Sequence, residues 1–247
     1  MVSWNPWHGC IKYSEGCRNC YVFRLDKLYG RNSDFKINQD FELPVKRYKT
    51  GVYKYPSGTK FFTCYTSDFF LELADPYRAR CWEIIKERSD CSFMIITKRI
   101  DLVASRLPAD WGIGYNNVSI VCTIEDQHQA DHRIPIYDSL PIQHKALCLE
   151  PLLSQISMDI YDPASMNLEY IIAGGESGPY EDARYCYESW VVRLHNDCRR
   201  WRIPFCFKQT GTNFVHINGF VEHVQRHNQM YRAMELHYQD FYLHDLG

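Results

Sequence analysis

Short apolar runs recur along this chain, separated by longer stretches of helical spacing. Six of the runs read as strands: residues 61–65, 93–97, 118–123, 145–149, 170–173 and 204–207. They are continuous rather than alternating, the pattern of strands covered on both faces. Between them, residues 76–87, 100–107, 126–138 and 189–201 have helical character. The repeated strand-then-helix order predicts an α/β fold with a parallel sheet, partly or fully closed into a (β/α) barrel. The pattern changes near the end. Residues 214–224 read as a hairpin turning at Asn218-Gly219, and residues 226–238 as a closing helix. The predicted organisation is a barrel over residues 1–212 with a C-terminal hairpin and helix extension over residues 213–247. Near the start, residues 21–29 read as a short helix ending at Gly30, and residues 31–59 as polar and irregular.

The C-terminal ends of the strand runs are unusually polar. They carry Thr66-Ser67-Asp68, Thr97-Lys98-Arg99, Thr123-Ile124-Glu125-Asp126, Glu150-Pro151, Gly174-Gly175-Glu176-Ser177 and Lys208-Gln209. In a parallel barrel these ends meet on one face, where barrel active sites are built. Any single one also fits a turn or a helix cap. Six in succession favour a shared site.

Composition adds little on class but something on compartment. A chain of 247 residues suits one large domain or two small ones, and 45% hydrophobic content can fill a sizeable core. The net charge of −2 is unevenly spread: residues 1–60 hold eleven Lys/Arg against five Asp/Glu. Eleven cysteines, an odd number, argue against a simple disulfide framework. Cys64, Cys91, Cys122, Cys148 and Cys206 lie in or beside apolar runs and read as small buried hydrophobes. The opening segment does not read as a secretory signal, and no apolar run approaches membrane length. The expectation is a cytoplasmic, reducing compartment with no membrane partner.

Three other cysteines are arranged differently. Cys10, Cys17 and Cys20 follow the spacing C-x6-C-x2-C, with Gly9 and Gly16 directly before the first two. Three thiolates on a Gly-punctuated loop make a soft sulfur site. A closed structural zinc site normally takes four protein ligands. One reading is therefore a [4Fe–4S] cluster with one iron left open. Another is zinc with His8 as the fourth ligand, although His8-x-Cys10 is tight spacing for two ligands of one tetrahedral ion.

A second feature is the acid-free stretch of residues 44–60. It interleaves Lys46, Arg47, Lys49, Lys54 and Lys60 with Tyr48, Tyr53 and Tyr55. Such a segment can track phosphates and stack bases, or be a solvated loop. Lys98, Arg99 and Lys208 add cations at the strand ends. His223 and His227 read as surface histidines.

The run Trp4-Asn5-Pro6-Trp7-His8-Gly9-Cys10, the cysteine spacing, Thr66-Ser67-Asp68, Ile96-Thr97-Lys98-Arg99 and Gly174-Gly175-Glu176-Ser177-Gly178 together resemble a phage-associated three-cysteine-motif family. That family is similar to a divergent branch of the radical S-adenosylmethionine (SAM) enzymes, and the resemblance covers roughly residues 1–212. The strand ends also resemble those of spore-photoproduct-lyase-like proteins, where a strand ending in aspartate and a later Thr-Lys segment line the site. The common superfamily spacing is C-x3-C-x2-C, so the first gap is longer here.

The resemblance implies a (β/α) barrel of the radical SAM type. It places a [4Fe–4S] cluster on Cys10, Cys17 and Cys20, with SAM on the open iron. An external electron donor would reduce the cluster, SAM would be cleaved to a 5′-deoxyadenosyl radical, and a substrate hydrogen would be abstracted. Candidate SAM contacts are Thr66, Ser67, Asp68, Thr123, Glu150, Gly174, Gly175 and Glu176, with Thr66-Ser67-Asp68 the better placed for the amino group. Candidate catalytic residues are Glu150, Lys98 and Glu176. Lys46, Arg47, Lys49, Arg99 and Lys208 would bind an anionic substrate, with a nucleic-acid base or nucleotide as the obvious class. The alternative is a non-catalytic nucleic-acid-binding protein with a structural zinc or iron–sulfur site. The polar strand ends favour the enzyme, since a pure binder has no need of them. A peptide-modifying enzyme is a third class, but no separate peptide-recognition segment is visible.

Overall fold

The computed structural model describes residues 1–242. In chain order the strands and helices are β1 (Val2–Trp4), β2 (Trp7–His8), α1 (Tyr21–Leu28), β3 (Lys36–Ile37), β4 (Lys60–Thr63), α2 (Asp75–Glu87) and β5 (Ser92–Thr97). Then come α3 (Ile100–Val103), β6 (Val118–Thr123), α4 (Gln127–Ser139), β7 (His144–Leu149), β8 (Leu168–Gly174) and β9 (Tyr185–Tyr187). The last are α5 (Glu188–Trp201), β10 (Phe205–Gln209), β11 (Asn213–Val215), β12 (Val221–His223) and α6 (Gln229–Glu235). Seven strands form one sheet in the order β1-β4-β5-β6-β7-β8-β10. The pairs β1 with β4, β4 with β5, β7 with β8 and β8 with β10 are all parallel. The fold class is α/β. Among the described residues no helix is long and apolar enough to cross a membrane.

The chain divides into two compact units. The first comprises Met1–Tyr13, Val22–Val121 and Ser139–His144. Its core is aromatic. Phe61 stacks on Phe93 with centroids 5.1 Å apart, Trp4 meets Phe93 edge-on at 5.6 Å, and Phe69 meets Trp82 at 4.9 Å. Burying each such ring is worth about 1.5–3 kcal/mol, and edge-on contacts add to this. In β4 and β5 only alternate positions are fully buried, Phe61 and Thr63 in the one and Phe93, Ile95 and Thr97 in the other, with half-buried residues between them, so the predicted cover on both faces is incomplete here. Residues 31–59 are less irregular than the sequence predicts: an antiparallel bridge pairs Arg47 with Tyr53. The turn between them depends on Gly51, whose φ of +86° suits a residue without a Cβ.

The second unit comprises Ser14–Tyr21, Cys122–Asp138 and the chain from Lys145 onward. A three-stranded sheet, in the order β12-β11-β9, sits in it beside β7, β8 and β10. The predicted hairpin is present: β11 and β12 pair antiparallel, with Asn213 opposite His223. The predicted closing helix over residues 226–238 is shorter, with α6 spanning Gln229–Glu235. A single 3₁₀ turn, Arg226–Asn228, precedes α6. Beyond α6 the chain returns along β10, where Phe207 N donates to Tyr238 O at 3.0 Å and Asp240 N to Phe205 O at 2.8 Å. That return covers backbone groups that an edge strand would leave open.

Candidate functional site

In the first unit the opening motif holds the end of β4. Trp7, fully buried, donates its Nε1 to Asp68 O at 3.3 Å. The Asn5 side chain accepts from Thr66 N at 3.0 Å, and Ser67 Oγ donates to Gly9 O at 2.5 Å. Gly9 has φ +88°, and a Cβ there would collide with the Ser33 and Asp34 backbone. These contacts fix the chain just before Cys10.

Asp68 is buried and its carboxylate is crowded with donors. It accepts from Thr97 Oγ1 at 2.8 and 3.0 Å, from Phe70 N at 2.9 Å and from Lys98 N at 3.2 Å. It also pairs with Arg99 at 3.5 Å. Asp68 therefore orients the strand ends Thr97-Lys98-Arg99. Arg99 is 2% exposed. Its Nη2 donates to Ile11 O at 2.7 Å and its Nη1 lies 3.8 Å from Cys10 Sγ. The guanidinium sits over the Tyr13 ring at 4.8 Å, and Tyr13 in turn donates to Asp101 at 2.5 Å. Burial disfavours the Arg99 charge, but Asp68, Cys10 and Glu72 outweigh it and raise the pKa. The hydroxyl of Thr66 is buried and meets no hydrogen-bond partner among the described residues.

His8 does not stand ready as a fourth metal ligand through Nε2. That nitrogen is 2.8 Å from Asp26 Oδ2, and Asp26 also holds Ser33 at 2.9 Å and Arg31 at 3.1 Å.

In the second unit two carboxylates hold the segment bearing Cys17 and Cys20. Glu125 accepts from Ser14 Oγ and pairs with Arg133 at 2.6 Å, both members of the pair being fully buried. A Cβ on Gly16 would collide with the Glu125 side chain. Glu176, from the Gly-Gly-Glu run, accepts from Asn19 Nδ2 at 3.0 Å and from Arg184 N at 3.0 Å. The Arg184 guanidinium forks onto both Glu176 oxygens, at 2.5 and 3.0 Å, and reaches Glu15 O at 2.9 Å. Burial pushes the Glu176 carboxyl up, but these donors prevail and hold it below its ordinary value. The preceding glycines allow close approach. A Cβ on Gly174 would strike Glu150, and one on Gly175 would strike Thr210 O.

Glu150 pairs with Lys208 Nζ at 2.8 Å, and Cys148 Sγ lies 3.6 Å from the same oxygen. Thr123 is buried, and its carbonyl accepts from Arg133 at 2.7 Å. Lys46 pairs with Asp40 and Arg47 with Glu87, while Lys49 is exposed.

Some residues here are invisible to motif reading. Arg133 and Arg184 gave no signal, since a lone Arg has no characteristic neighbour in sequence. Asn5 and Asn19 stand inside the opening run and the cysteine motif, but their partners Thr66 and Glu176 could not be read from that. Glu125 was visible only as one of several polar strand ends.

The eleven cysteines sort into two groups. Cys10, Cys17 and Cys20 are partly exposed, and the other eight are buried. Among the described residues no group of three or more His, Cys, Asp or Glu is placed to hold a metal ion. The three accessible thiols share one short stretch of sequence, Cys10 belonging to the first unit and Cys17 and Cys20 to the second.

No curated protein matches the chain, and no solved structure matches it. The family described as "Protein of unknown function (DUF5131)" matches residues 1–237. The opening Trp-Asn-Pro-Trp run, the cysteine segment and the Gly-Gly-Glu loop all fall inside that match, and the chain belongs to this family.

Proposed function

We propose that this protein is a radical SAM enzyme in which Cys10, Cys17 and Cys20 hold a [4Fe–4S] cluster with one iron open. Its substrate is anionic, and its fold is a partial (β/α) barrel of the radical SAM type. The observation that carries this reading is the sorting of the thiols: eight are buried, and the three of the C-x6-C-x2-C loop are not. Buried cysteines are packing residues. Accessible thiols fixed by dedicated contacts are a donor set.

When bound, the cluster supplies the electron that cleaves the sulfonium bond of SAM, with an external reductant as its source. The chain's own residues have distinct tasks. Arg99, held by Asp68, sets a fixed positive charge beside Cys10 and favours its thiolate. Glu125 and Glu176 keep the Cys17 and Cys20 segment in place. The Thr66 hydroxyl, buried and unpartnered, is a candidate SAM contact. Lys208 and Glu150 can bind charged groups of SAM or substrate, or move a proton between them.

Anaerobic reconstitution tests the reading. Iron and sulfide should bind at about four each per chain, with the paramagnetic signature of a reduced [4Fe–4S] cluster. Triple Cys→Ala replacement at positions 10, 17 and 20 should abolish both. SAM should bind the loaded protein and perturb that signature. Stoichiometric zinc with no iron would overturn the proposal and favour a structural site in a non-catalytic binder.

A further inference from the structure

We propose that the hairpin of residues 46–54 docks single-stranded nucleic acid, with Tyr48 as a stacking platform and Lys49 and Lys54 as phosphate contacts. This names a substrate class for the enzyme proposed above. It rests on that reading only for the word substrate, since the binding claim stands on the hairpin itself.

The hairpin has two unlike faces. Three backbone hydrogen bonds close it: Tyr48 N to Val52 O at 2.8 Å, Gly51 N to Tyr48 O at 2.9 Å and Lys54 N to Lys46 O at 2.8 Å. Opposed residues of an antiparallel pair share a face. Arg47 and Tyr53 therefore share one, and Lys46, Tyr48, Val52 and Lys54 the other. The first face is committed to anchoring. The Tyr53 ring lies between two guanidinium groups, Arg47 at 3.7 Å and Arg88 at 4.2 Å. Its hydroxyl donates to Glu87 at 2.8 Å, and the buried Arg88 also donates to Tyr55 O at 2.9 Å. Arg47, a candidate substrate contact by sequence, is thus part of the hairpin's root.

The second face is open. Tyr48 is 57% exposed and Val52 63%. Lys54 Nζ lies 5.8 Å from the Tyr48 ring centroid, and Lys49 is exposed beside it at the turn. The acid-free sequence from 44 to 60 gives this face no carboxylate of its own, and Lys46 at its edge pairs with Asp40. An exposed ring flanked by ammonium groups on a firmly rooted arm is complementary to a polyanion with π-faces. An aromatic platform needs an unpaired base to stack on, which selects a single strand over a duplex. An acidic protein surface would satisfy the lysines but leave the ring without a partner.

The test is fluorescence anisotropy with the full chain and labelled single-stranded DNA and RNA 12-mers, run across salt concentrations. The expected result is single-strand binding that weakens with salt. Tyr48→Ala should weaken it about tenfold. Lys49→Ala with Lys54→Ala should reduce the salt slope by about 1.4, since each phosphate neutralised on a single strand adds roughly 0.7. Lys27→Ala, on α1, should change neither. All three tip residues are exposed, so circular dichroism should be unchanged. Absence of binding at low salt overturns the proposal. So does equal binding of parent and tip variants, or a match by polyglutamate or heparin with Tyr48→Ala neutral. Iron content measured on the same preparations separates the two readings. Oligonucleotide binding without iron loading removes the cluster alone, and iron loading without oligonucleotide binding removes the hairpin alone.

Discussion

Asn19 donates its side-chain amide to Glu176 at 3.0 Å, joining the cysteine segment to a loop more than 150 residues away. By sequence resemblance the Gly-Gly-Glu run was a candidate for SAM contact. In the structure both Glu176 oxygens are engaged by Asn19 and Arg184. The motif's glycines are explained by close packing against Glu150 and Thr210. Its carboxylate acts on Cys17 and Cys20 through the residue that lies between them.

Glu176→Gln should therefore loosen that segment. A paired buried carboxylate contributes about 1–3 kcal/mol through its charged hydrogen bonds. Because folding lowers its pKa, the contribution is complete above the ordinary carboxylate range and fades as pH falls through it. Urea unfolding should show the variant less stable than the parent at pH 7, with the gap narrowing toward pH 4. A gap that is constant or widens on acidification would count against the assignment.

Gly16→Ala should be costly for a different reason. The added methyl would meet Glu125, which is fully buried and locked to Arg133 at 2.6 Å, so neither partner can yield. Overpacking of this kind costs about 1–3 kcal/mol. The urea midpoint should fall with no change in slope. An unchanged midpoint would mean that the segment moves aside freely.

The middle of the sheet was legible because β6, β7 and β8 are buried on both faces, whereas β4 and β5 are fully buried only at alternate positions. Runs such as residues 118–123 have no polar alternation to obscure them, and β6 spans the same residues. The first strand was missed because Val2–Trp4 is only three residues long and carries a serine. The hairpin of residues 46–54 was missed because its order comes from Arg88 and Glu87, outside its own sequence. The same limit applies at the candidate site. Thr66-Ser67-Asp68 and Glu150 could be picked out as polar strand ends, but not what each would hold. Asp68 differs from Glu150 because three separate donors and Arg99 crowd its oxygens. Those partners come from positions with no common spacing.

Alkylation should reproduce the division of the cysteines. In native protein, iodoacetamide should label Cys10, Cys17 and Cys20 first, since only these three of the eleven are partly exposed. Burial pushes the Cys64 and Cys81 thiols well above their ordinary value and Cys186 up to about 12. The thiolate is the reacting form, so these sites should be slow even when the chain opens transiently. Peptide mass spectrometry reads the order directly. Anaerobic iron loading should then protect the three fast sites and leave the rest unchanged. Fast labelling at Cys186 or Cys64 would contradict the burial on which the argument rests.

Lys208 and Glu150 form a close, partly exposed charged pair at the ends of β10 and β7. Their nitrogen and oxygen are 2.8 Å apart, and the side chains keep 31% and 18% exposure, so each remains within reach of a bound molecule. The pair is mostly buried, so losing one partner removes a charged hydrogen bond worth about 1–3 kcal/mol. Lys208→Met and Glu150→Gln should each lower the unfolding free energy by no more than that, leaving folded protein on which function can be read. If the protein is the radical SAM enzyme proposed above, each should lower SAM-dependent turnover by about 100-fold or more, the scale of a positioned proton donor or acceptor. The double variant should lose little more than either single one, because residues that act as a unit are not additive. Iron content should be the same in all four proteins, which separates loss of chemistry from loss of the cluster. Full turnover and unaltered SAM affinity in both single variants would reduce the pair to a surface contact.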